Sequence, residues 1–288
     1  MQGSKRSAEP HCDGIVALVL APEARARTPI AGAPQLSHAS GEILREIEIS
    51  DEYGDHRRVL APVERPLAVL LDQQPVATLW TLGASAEWLV LGYLHNQQLL
   101  SEVTQLASIT VDWDTGTALV KTRNDAERHA STAAPQGAAI LTGLGRIGRL
   151  HAPRISRSAL LRILANLPRE NAIYRAAGSV HGCALLSGGT LWIGVEDVSR
   201  RNAIDIVSGW MALHGVPGGD KVLFTTGRLT SEIVIKAALS GVPCVVSRKG
   251  VTAMCCELAE QLGITLFGHA AQGRYLCYAG GERFDPNS

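Results

Sequence analysis

The C-terminal part of the chain alternates short apolar runs with amphipathic segments, and this alternation restricts the possible fold more than any other feature. Residues 221–268 contain, in order, KVLFTT, TSEIVIKAALSG, PCVVS, TAMCCELAEQLG and ITLFG. The first, third and fifth are nearly continuous apolar runs, as in strands buried on both faces, and the other two have helical periodicity. Gly241 and Gly263 stand where helices end, because glycine accepts the left-handed backbone of a C-terminal cap. The pattern predicts a parallel sheet covered by helices.

Two runs before this region predict a hairpin followed by a long helix. VHGCALL and TLWIGV are separated by Ser187, Gly188 and Gly189, which are typical of a turn. The helix after them carries its apolar residues on one face, namely Ala203, Ile204, Val207, Trp210 and Met211. Another helix is predicted from SRSALLRILANL at residues 156–167.

The first half of the chain predicts a second, smaller α/β region. Residues 58–123 have the pattern strand, strand, helix, strand, strand. LAVLLD and PVATLWT flank a turn at 72–74, ASITVDW and TALVKT flank a turn at 114–116, and Ser85 stands where the helix would begin. We therefore divide the chain into a flexible leader (1–40), an N-terminal α/β domain (41–130), a linker or functional loop (131–155) and a C-terminal α/β domain (156–288).

Charge balance and cysteine spacing argue against several classes of protein. The chain has 27 Lys and Arg against 27 Asp and Glu, whereas a general nucleic-acid binder normally has a basic surplus. No apolar run reaches the length of a membrane span, and Glu9 and Asp13 are unusual ahead of GIVALVLA if that run were part of a signal peptide. The six cysteines form no C-x-x-C pair and show no zinc spacing. We expect reduced thiols, a cytoplasmic protein, and no nucleic-acid, membrane or zinc binding.

Loops with glycine and basic residues follow the three strands of the predicted parallel sheet. They read TTGRLT, SRKGVT and GHAAQGR, and they contain Gly227 with Arg228, Arg248 with Lys249, and Arg274. Ligands of parallel α/β sheets bind beyond the carboxyl ends of the strands, and arginine suits phosphate because its planar group can bind two oxygens at once. Together the loops predict one anion-binding pocket. The alternative is that each arginine is merely solvated or pairs with a nearby carboxylate.

His181, at the start of the predicted hairpin, should lie opposite Glu196 and Asp197 at its end. A histidine beside carboxylates can act as an acid or a base, so an enzyme acting on a nucleotide through His181 and Asp197 is one hypothesis. The interpretation we prefer is that the carboxylates satisfy buried polar groups or cap the next helix.

Two apparent motifs do not carry a function. GLGRIG at 143–148 fits G-x-G-x-x-G, but Pro153 interrupts the helix that should follow and Glu170 does not end a second strand, as the acid of a dinucleotide-binding fingerprint would. His181-Gly182-Cys183 with PCVVS lacks the glutamate and the second paired cysteine of a zinc deaminase.

Several segments together resemble the formate dehydrogenase accessory sulfurtransferase (FdhD) family. They are GSVHGCALL, EDVSRRNAIDIVSGW, TTGRLTSEIVIKAALSGVPCVVSR, TAMCCELAEQLGITLFG, the pair Gly273-Arg274 and, less specifically, LGYLHNQQLL. The resemblance extends over roughly residues 60–280. It implies a small α/β N-terminal domain and a C-terminal three-layer domain of cytidine-deaminase-like architecture.

The resemblance also implies a function and partners. Family members receive sulfur as a persulfide from a cysteine desulfurase and pass it to the molybdenum cofactor, in its bis(molybdopterin guanine dinucleotide) form, before insertion into formate dehydrogenase. The family's cofactor-binding segment matches His269, Ala270, Ala271, Gln272, Gly273 and Arg274. The expected cofactor-binding set further includes Gly227, Arg228, Arg248 and His181. Another molybdoenzyme as the client and a homodimeric state are left open.

One position departs from the family pattern. The family carries its sulfur on a cysteine in a loop reading T-S-x-C-G-x-C/G, and STAAPQG places Ala134 at that cysteine and Gly137 at the second position. Accepting sulfur requires a thiolate. Cys183 could substitute, although a cysteine on a strand is usually a small buried hydrophobic residue. Two functions therefore stay open: a sulfurtransferase, or a cysteine-deficient paralogue that binds or chaperones the cofactor without transferring sulfur.

Overall fold

The chain is a mixed α/β protein, as predicted, in a computed structural model that describes residues 17–123, 147–151, 153–166 and 172–288. Its strands are β1 (Leu18–Leu20), β2 (Gln35–Leu36), β3 (Leu44–Ser50), β4 (His56–Pro62), β5 (Arg65–Leu71), β6 (Gln74–Thr81), β7 (Leu106–Asp112), β8 (Thr117–Thr122), β9 (Ile155–Ser156), β10 (His181–Ser187), β11 (Thr190–Asp197), β12 (Lys221–Thr225), β13 (Cys244–Ser247), β14 (Thr265–Ala271), β15 (Arg274–Ala279) and β16 (Phe284–Asp285). Its α-helices are α1 (Pro22–Arg25), α2 (Ala86–Asn96), α3 (Arg157–Asn166), α4 (Ala172–Ala177), α5 (Arg200–Leu213), α6 (Ser231–Leu239) and α7 (Ala253–Leu262). Short 3-10 helices cover Val103–Gln105 and Gly281–Arg283. The cytidine-deaminase-like arrangement of the C-terminal domain stays a prediction.

The larger sheet has seven strands in the order β1-β11-β10-β12-β13-β14-β15. β12, β13 and β14 are parallel neighbours, which confirms the predicted strand–helix–strand units. The remaining strands pair antiparallel, so the sheet is mixed rather than wholly parallel. The predicted hairpin of β10 and β11 explains part of this difference, since a turn at Gly188 and Gly189 is too short for a parallel crossover.

Alternating side chains give the larger sheet two apolar faces. Leu223 and Val245 belong to a core with residues of α5, α6 and α7. Phe224 and Val246, one position further along each strand, belong to a second core with residues of α3. We call these the α5 face and the α3 face. A side chain at the end of a strand thus reaches one of two different environments.

The smaller sheet has five strands in the order β2-β7-β8-β5-β6. Both predicted hairpins are confirmed, β5 with β6 and β7 with β8. Asp72 and Gln73 have φ values of 47° and 68°, which suit the tight turn of a two-residue hairpin. Ser85 precedes α2 as predicted, but its side chain makes no capping hydrogen bond. The antiparallel ribbon of β3 and β4 was not predicted.

Helix α2 connects the two sheets by packing against α5. A Cβ added to Gly92 would lie 1.7 Å from the carbonyl oxygen of Asp205, and one added to Gly209 would lie 2.0 Å from that of Trp88. The helices therefore approach so closely that only glycine fits at these two positions. Buried residues of the smaller sheet, α2 and the larger sheet form one continuous hydrophobic cluster.

Part of the predicted leader is ordered. β1 pairs with the edge of β11, with Leu18 opposite Val195, and the backbone N–H of Ile30 donates to the carbonyl of Leu213 at 2.9 Å. We expected a flexible leader up to residue 40, but the apolar side chains of this segment pack against the main core. Several of the predictions fall outside the described residues. They concern residues 1–16, Ala134, Gly137, and most of the 131–155 loop, including the first four residues of GLGRIG. Among the described residues, no helix is long and apolar enough to cross a membrane.

Candidate anion-binding site at the carboxyl edge of the larger sheet

The loops after β12, β13 and β14 meet at one edge of the larger sheet, which we call the carboxyl edge. The N–H of Arg248 donates to the carbonyl of Thr225 at 3.3 Å, and the N–H of Leu229 donates to that of Gly250 at 3.0 Å. The third loop joins them through His269, whose N–H donates to the carbonyl of Lys249 at 3.0 Å. The predicted convergence of the three loops is therefore confirmed for their backbones.

Two buried hydroxyl groups at the strand ends hold these loops in place. The Ser247 hydroxyl donates to the carbonyl of Gly227 at 2.5 Å and accepts from the N–H of Lys249 at 2.9 Å. The Thr225 hydroxyl accepts from the N–H of Gly227 at 3.1 Å. These hydroxyl groups pair backbone groups of the turns within the protein, so they help to fix the loop backbones.

On the α3 face, the carboxyl edge contains a cavity of about 560 Å³. It is lined by Leu161, Leu164 and Ala165 of α3, together with Arg248, Ala270, Ala271, Gln272 and Gly273. Five of the predicted cofactor-binding residues thus lie around one space. The guanidinium of Arg248 stacks over the ring of Phe224, with 5.6 Å between Cζ and the ring centroid, which places it on this face.

A bulge in β14 gives this cavity its wall. His269 has a φ of 50°, and the pairing of β14 with β15 gains one residue between Gly268 and Ala271. The extra residue turns Ala270 into the α3-face core and leaves His269 exposed. His269 and Arg274, the two ends of the predicted cofactor-binding segment, do not line the cavity. Arg274 lies opposite Ala271, exposed at the start of β15.

A second group of basic residues lies on the α5 face, and we call it the arginine cluster: His181, Arg200 and Arg228. His181 is two residues before Cys183 of the α5-face core, and Arg200 begins α5. Arg228 follows Gly227, which lies against the side chain of Arg200. The charge of Arg200 acts on both of the others. Burial, then repulsion from Arg201 and Arg228, lowers the pKa of Arg200. Burial, then the charge of Arg200, lowers the pKa of His181. The carboxyl edge therefore has basic sites on both faces, rather than the single pocket expected from the sequence.

Arg200 was not predicted as a site residue. It is the first residue of α5, and its side chain reaches Gly227, where an added Cβ would lie 2.9 Å from Arg200 Cδ. The close contact explains why residue 227 is glycine. The sequence did contain a signal for Arg200. Ser199 is a typical helix cap just after the end of a predicted strand, so the helix begins at the same edge of the sheet as the binding loops.

His181 and the hairpin carboxylates do not form a catalytic pair. The register places His181 opposite Asp197, as predicted. However, among the described residues no hydrogen bond joins His181 to either carboxylate. Asp197 accepts from the Thr81 hydroxyl at 2.6 Å and the Leu82 N–H at 3.0 Å, among others. The carboxylate thus has a structural role, which is the interpretation preferred from the sequence.

The other hairpin carboxylate caps a helix. Glu196 accepts from the N–H groups of Ile173 and Tyr174, at 2.9 and 3.0 Å, in the first turn of α4. Both predicted structural uses of the hairpin carboxylates are therefore seen.

The cysteines of the described residues are mostly enclosed. Cys183 is 2% exposed, and burial strongly raises the pKa of its thiol. A thiol in that position is neutral and out of contact with solvent, so its burial argues against the role of substitute nucleophile. Cys244 and Cys255 are buried as well, Cys256 is partly buried and Cys277 is exposed.

The fold and the site define an α/β protein with basic, glycine-containing anion sites at the edge of a mixed sheet. Residues 62–285 match the model of the FdhD/NarQ family, and the chain belongs to that family.

Two relatives from bacteria are described as sulfur carrier protein FdhD. The one from Halalkalibacterium halodurans is 28% identical over 250 residues, which cover 82% of this chain and 93% of the relative. The one from Bacillus pumilus is 28% identical over 234 residues, which cover 76% and 88%. A crystal structure of a Desulfotalea psychrophila protein, provisionally assigned as a formate dehydrogenase accessory protein, superposes with a TM-score of 0.69 over 84% of this chain and 98% of that one. At 23% identity this similarity shows the fold.

Proposed function

We propose that this chain is a sulfur carrier and accessory protein that prepares the molybdenum cofactor for formate dehydrogenase. Family membership and the relatives described as sulfur carriers support this function. The observation that carries the proposal is the cavity on the α3 face, because Arg248 meets residues 270–273 there. These are residues of the segment that the resemblance assigns to the cofactor.

The cavity suits one guanylated arm of a bis(molybdopterin guanine dinucleotide). Arg248 is exposed and has no carboxylate partner among the described residues, so its guanidinium is free to bind phosphate oxygens. Leu161 and Leu164 provide an apolar wall of the kind that packs against a base. When bound, the cofactor supplies the molybdenum centre that receives sulfur. The protein's residues bind this arm and orient it.

Sulfur transfer itself requires a thiolate in the carrier. The thiolate attacks the terminal sulfur of the desulfurase persulfide, the bond to the desulfurase cysteine breaks, and that cysteine leaves as a thiolate. The relatives favour the sulfur carrier, but Ala134 at the family's cysteine position and the buried thiol of Cys183 keep a second candidate function open. In that case the protein binds and delivers the cofactor without carrying sulfur.

The proposed function names the partners of the protein. They are a cysteine desulfurase as the sulfur donor and formate dehydrogenase, or another molybdoenzyme, as the recipient of the cofactor. The cytoplasm is the compartment in which we place this exchange. A homodimer would bring two such cavities to one bis-dinucleotide cofactor.

Binding of GDP, as a probe of the guanylated arm, tests the cavity. Arg248→Ala should weaken GDP binding by about 1.5–3 kcal/mol in isothermal titration calorimetry, as expected for a lost charged hydrogen bond. Lys249→Ala is the matched control, because Lys249 is the exposed cation next in the chain and does not line the cavity. Equal GDP affinity in the wild type and Arg248→Ala would refute the cavity as the nucleotide site.

Transfer of labelled sulfur separates the two candidate functions. The protein is incubated with a cysteine desulfurase and ³⁵S-cysteine, and protein-bound persulfide is measured. Label that is lost in a single cysteine variant, Cys277→Ala for example, shows a sulfur carrier. Absence of label with GDP binding retained shows a cofactor carrier without sulfur transfer.

A further inference from the structure

The arginine cluster carries positive charge for which the described residues provide no counter-ion. Among the described residues, neither Arg200 nor Arg228 takes part in a hydrogen bond or an ion pair. Arg228 is exposed, whereas Arg200 is only partly exposed and its aliphatic stem is fixed against Gly227. The stem of Arg200 thus lies against Gly227, while the five N–H groups of its guanidinium have no partner among the described residues.

The carboxylate that acts on Arg200 is already engaged. Glu232 accepts from Nε of Arg201 at 2.6 Å and pairs with Nζ of Lys236 at 3.2 Å. Arg201 follows Arg200 in the chain and has a partner on α6, whereas Arg200 has none among the described residues. The absence of a counter-ion therefore distinguishes Arg200 from the basic residue next to it.

Such an arrangement favours the binding of an anion. Like charges held near one another repel, and a partly buried guanidinium without acceptors loses hydrogen bonds that it had in water. An anion with several oxygens removes both costs, because two forked guanidinium groups and an imidazole can donate to it together.

We propose that the arginine cluster is a second anion subsite, which binds the phosphate or pyrophosphate group of a small ligand. It adds Arg200 to the predicted residues His181, Gly227 and Arg228, and it is separate from the cavity because it lies on the opposite face of the sheet. Gly227 serves the subsite by leaving room for the stem of Arg200. The subsite does not depend on the cavity binding a guanine nucleotide.

Titration with inorganic pyrophosphate at constant ionic strength tests the subsite. We expect saturable binding to the wild-type protein, weakened about ten-fold or more in Arg200→Gln and in Arg228→Gln. Lys249→Gln is the matched control, because it removes one exposed charge at the same edge from outside both the cluster and the cavity, and it should bind within about two-fold of wild type. Arg248→Gln reports any pyrophosphate that binds in the cavity instead. Gly227→Ala keeps every charge but displaces the Arg200 stem, and it should also weaken binding. Circular dichroism confirms that each variant is folded.

The outcomes separate this proposal from the proposed function. Pyrophosphate binding that is unchanged in Arg200→Gln and Arg228→Gln, or lost only in Arg248→Gln, overturns the subsite. If Arg200→Gln and Arg228→Gln weaken pyrophosphate binding while Arg248→Ala leaves GDP affinity unchanged, the subsite is supported and the cavity is rejected as the nucleotide site. Competition between GDP and pyrophosphate for the cluster would show that the bound phosphate group belongs to a nucleotide. Independent binding of the two would show that the cluster takes a separate anionic ligand.

Discussion

At the scale of single residues, burial and the charge of Arg200 together keep His181 neutral. His181 is partly buried and makes no hydrogen bond to the hairpin carboxylates, and the positive charge of Arg200 repels a proton on its ring. Burial and this charge both favour the neutral ring, so the pKa of His181 is lowered in the folded chain. At neutral pH the positive charge of the cluster therefore belongs to the two arginines, and His181 offers a neutral imidazole.

We predict that Arg200→Gln raises the pKa of His181 without restoring its ordinary value of about 6.5. Burial is the larger cause of the lowered pKa and persists in the variant. The ring resonances, assigned with His181→Gln, are followed by NMR against pH. A His181 pKa that stays the same or falls in Arg200→Gln would contradict the proposed contact.

The lowered pKa of His181 also makes the free energy of unfolding depend on pH. The unfolded chain protonates this ring below about pH 6.5, whereas the folded chain keeps it neutral to lower pH. The unfolded state then binds more protons, so the contribution of His181 to stability decreases as the pH falls below that value. Above it, the contribution does not depend on pH.

The sequence grouped Arg248 with residues 270–273, and these residues do line one cavity, although their role in binding a cofactor stays a prediction. Arg228 and Arg248 were expected together, because their loops follow parallel neighbours. Their loops do converge, but Arg248 lies on the α3 face and Arg228 beside Arg200. Beyond the last strand residue, the alternation of side chains no longer indicates a face.

At the scale of elements, the crossing of α2 and α5 fixes how the two sheets are joined. The crossing has glycine at both contact points, with backbone carbonyls opposite. Carbonyl oxygens belong to the helices themselves and cannot turn aside as a side chain would. Any added carbon must therefore push one helix away from the other.

Gly209→Ala should consequently destabilise the protein, although alanine is about 1 kcal/mol better than glycine in a helix interior. The new Cβ would lie 2.0 Å from the carbonyl oxygen of Trp88, and we expect a net loss of about 1–3 kcal/mol or more from the forced separation. Chemical denaturation monitored by circular dichroism measures the free energy of unfolding. Gly219→Ala is the control, since nothing lies within 4 Å of a Cβ there. A Gly209→Ala variant more stable than wild type would show that the crossing is looser than described.

Elements with strong local patterns were the ones predicted from the sequence. The alternation of strands and helices in residues 221–268 and both hairpins of the smaller sheet are confirmed. The ribbon of β3 and β4 was missed, although LREIEIS alternates in the manner of a strand. β1 could not be identified, because three residues carry no period and only the unpaired edge of β11 makes them a strand. The antiparallel direction of β10 relative to β12 likewise depends on tertiary packing.

At the scale of the whole molecule, a buried polar network accompanies the continuous core. Asp205 on α5 pairs with Nζ of Lys236 on α6 at 2.8 Å, and both side chains are 2% exposed. The amide of Asn96 on α2 donates to the same carboxylate at 2.6 Å, and Glu232 is the second partner of Lys236. Three helices from both halves of the chain thus meet at one group of charges. Asp205 lies 109 positions from Asn96 and 31 from Lys236, so neither of these pairings follows from sequence spacing. Only the pair of Glu232 and Lys236, one turn apart on α6, has local helical spacing.

The network and the shared core predict that the two halves unfold together, and that removing the central cation destabilises both. Lys236→Met leaves Asp205 without its cation in the interior, which should cost about 3–5 kcal/mol. Tryptophan fluorescence and far-ultraviolet circular dichroism should report one coincident unfolding transition, shifted to lower denaturant concentration in the variant.

A double variant tests whether the uncompensated charge is the cause. Adding Asp205→Leu to Lys236→Met removes that charge, so the double variant should lose less stability than the sum of the two single variants. Lys249→Met, an exposed lysine, is the control and should change stability by less than about 0.5 kcal/mol. Separate transitions, or equal effects of the two lysine substitutions, would show that the halves are stabilised independently of this network.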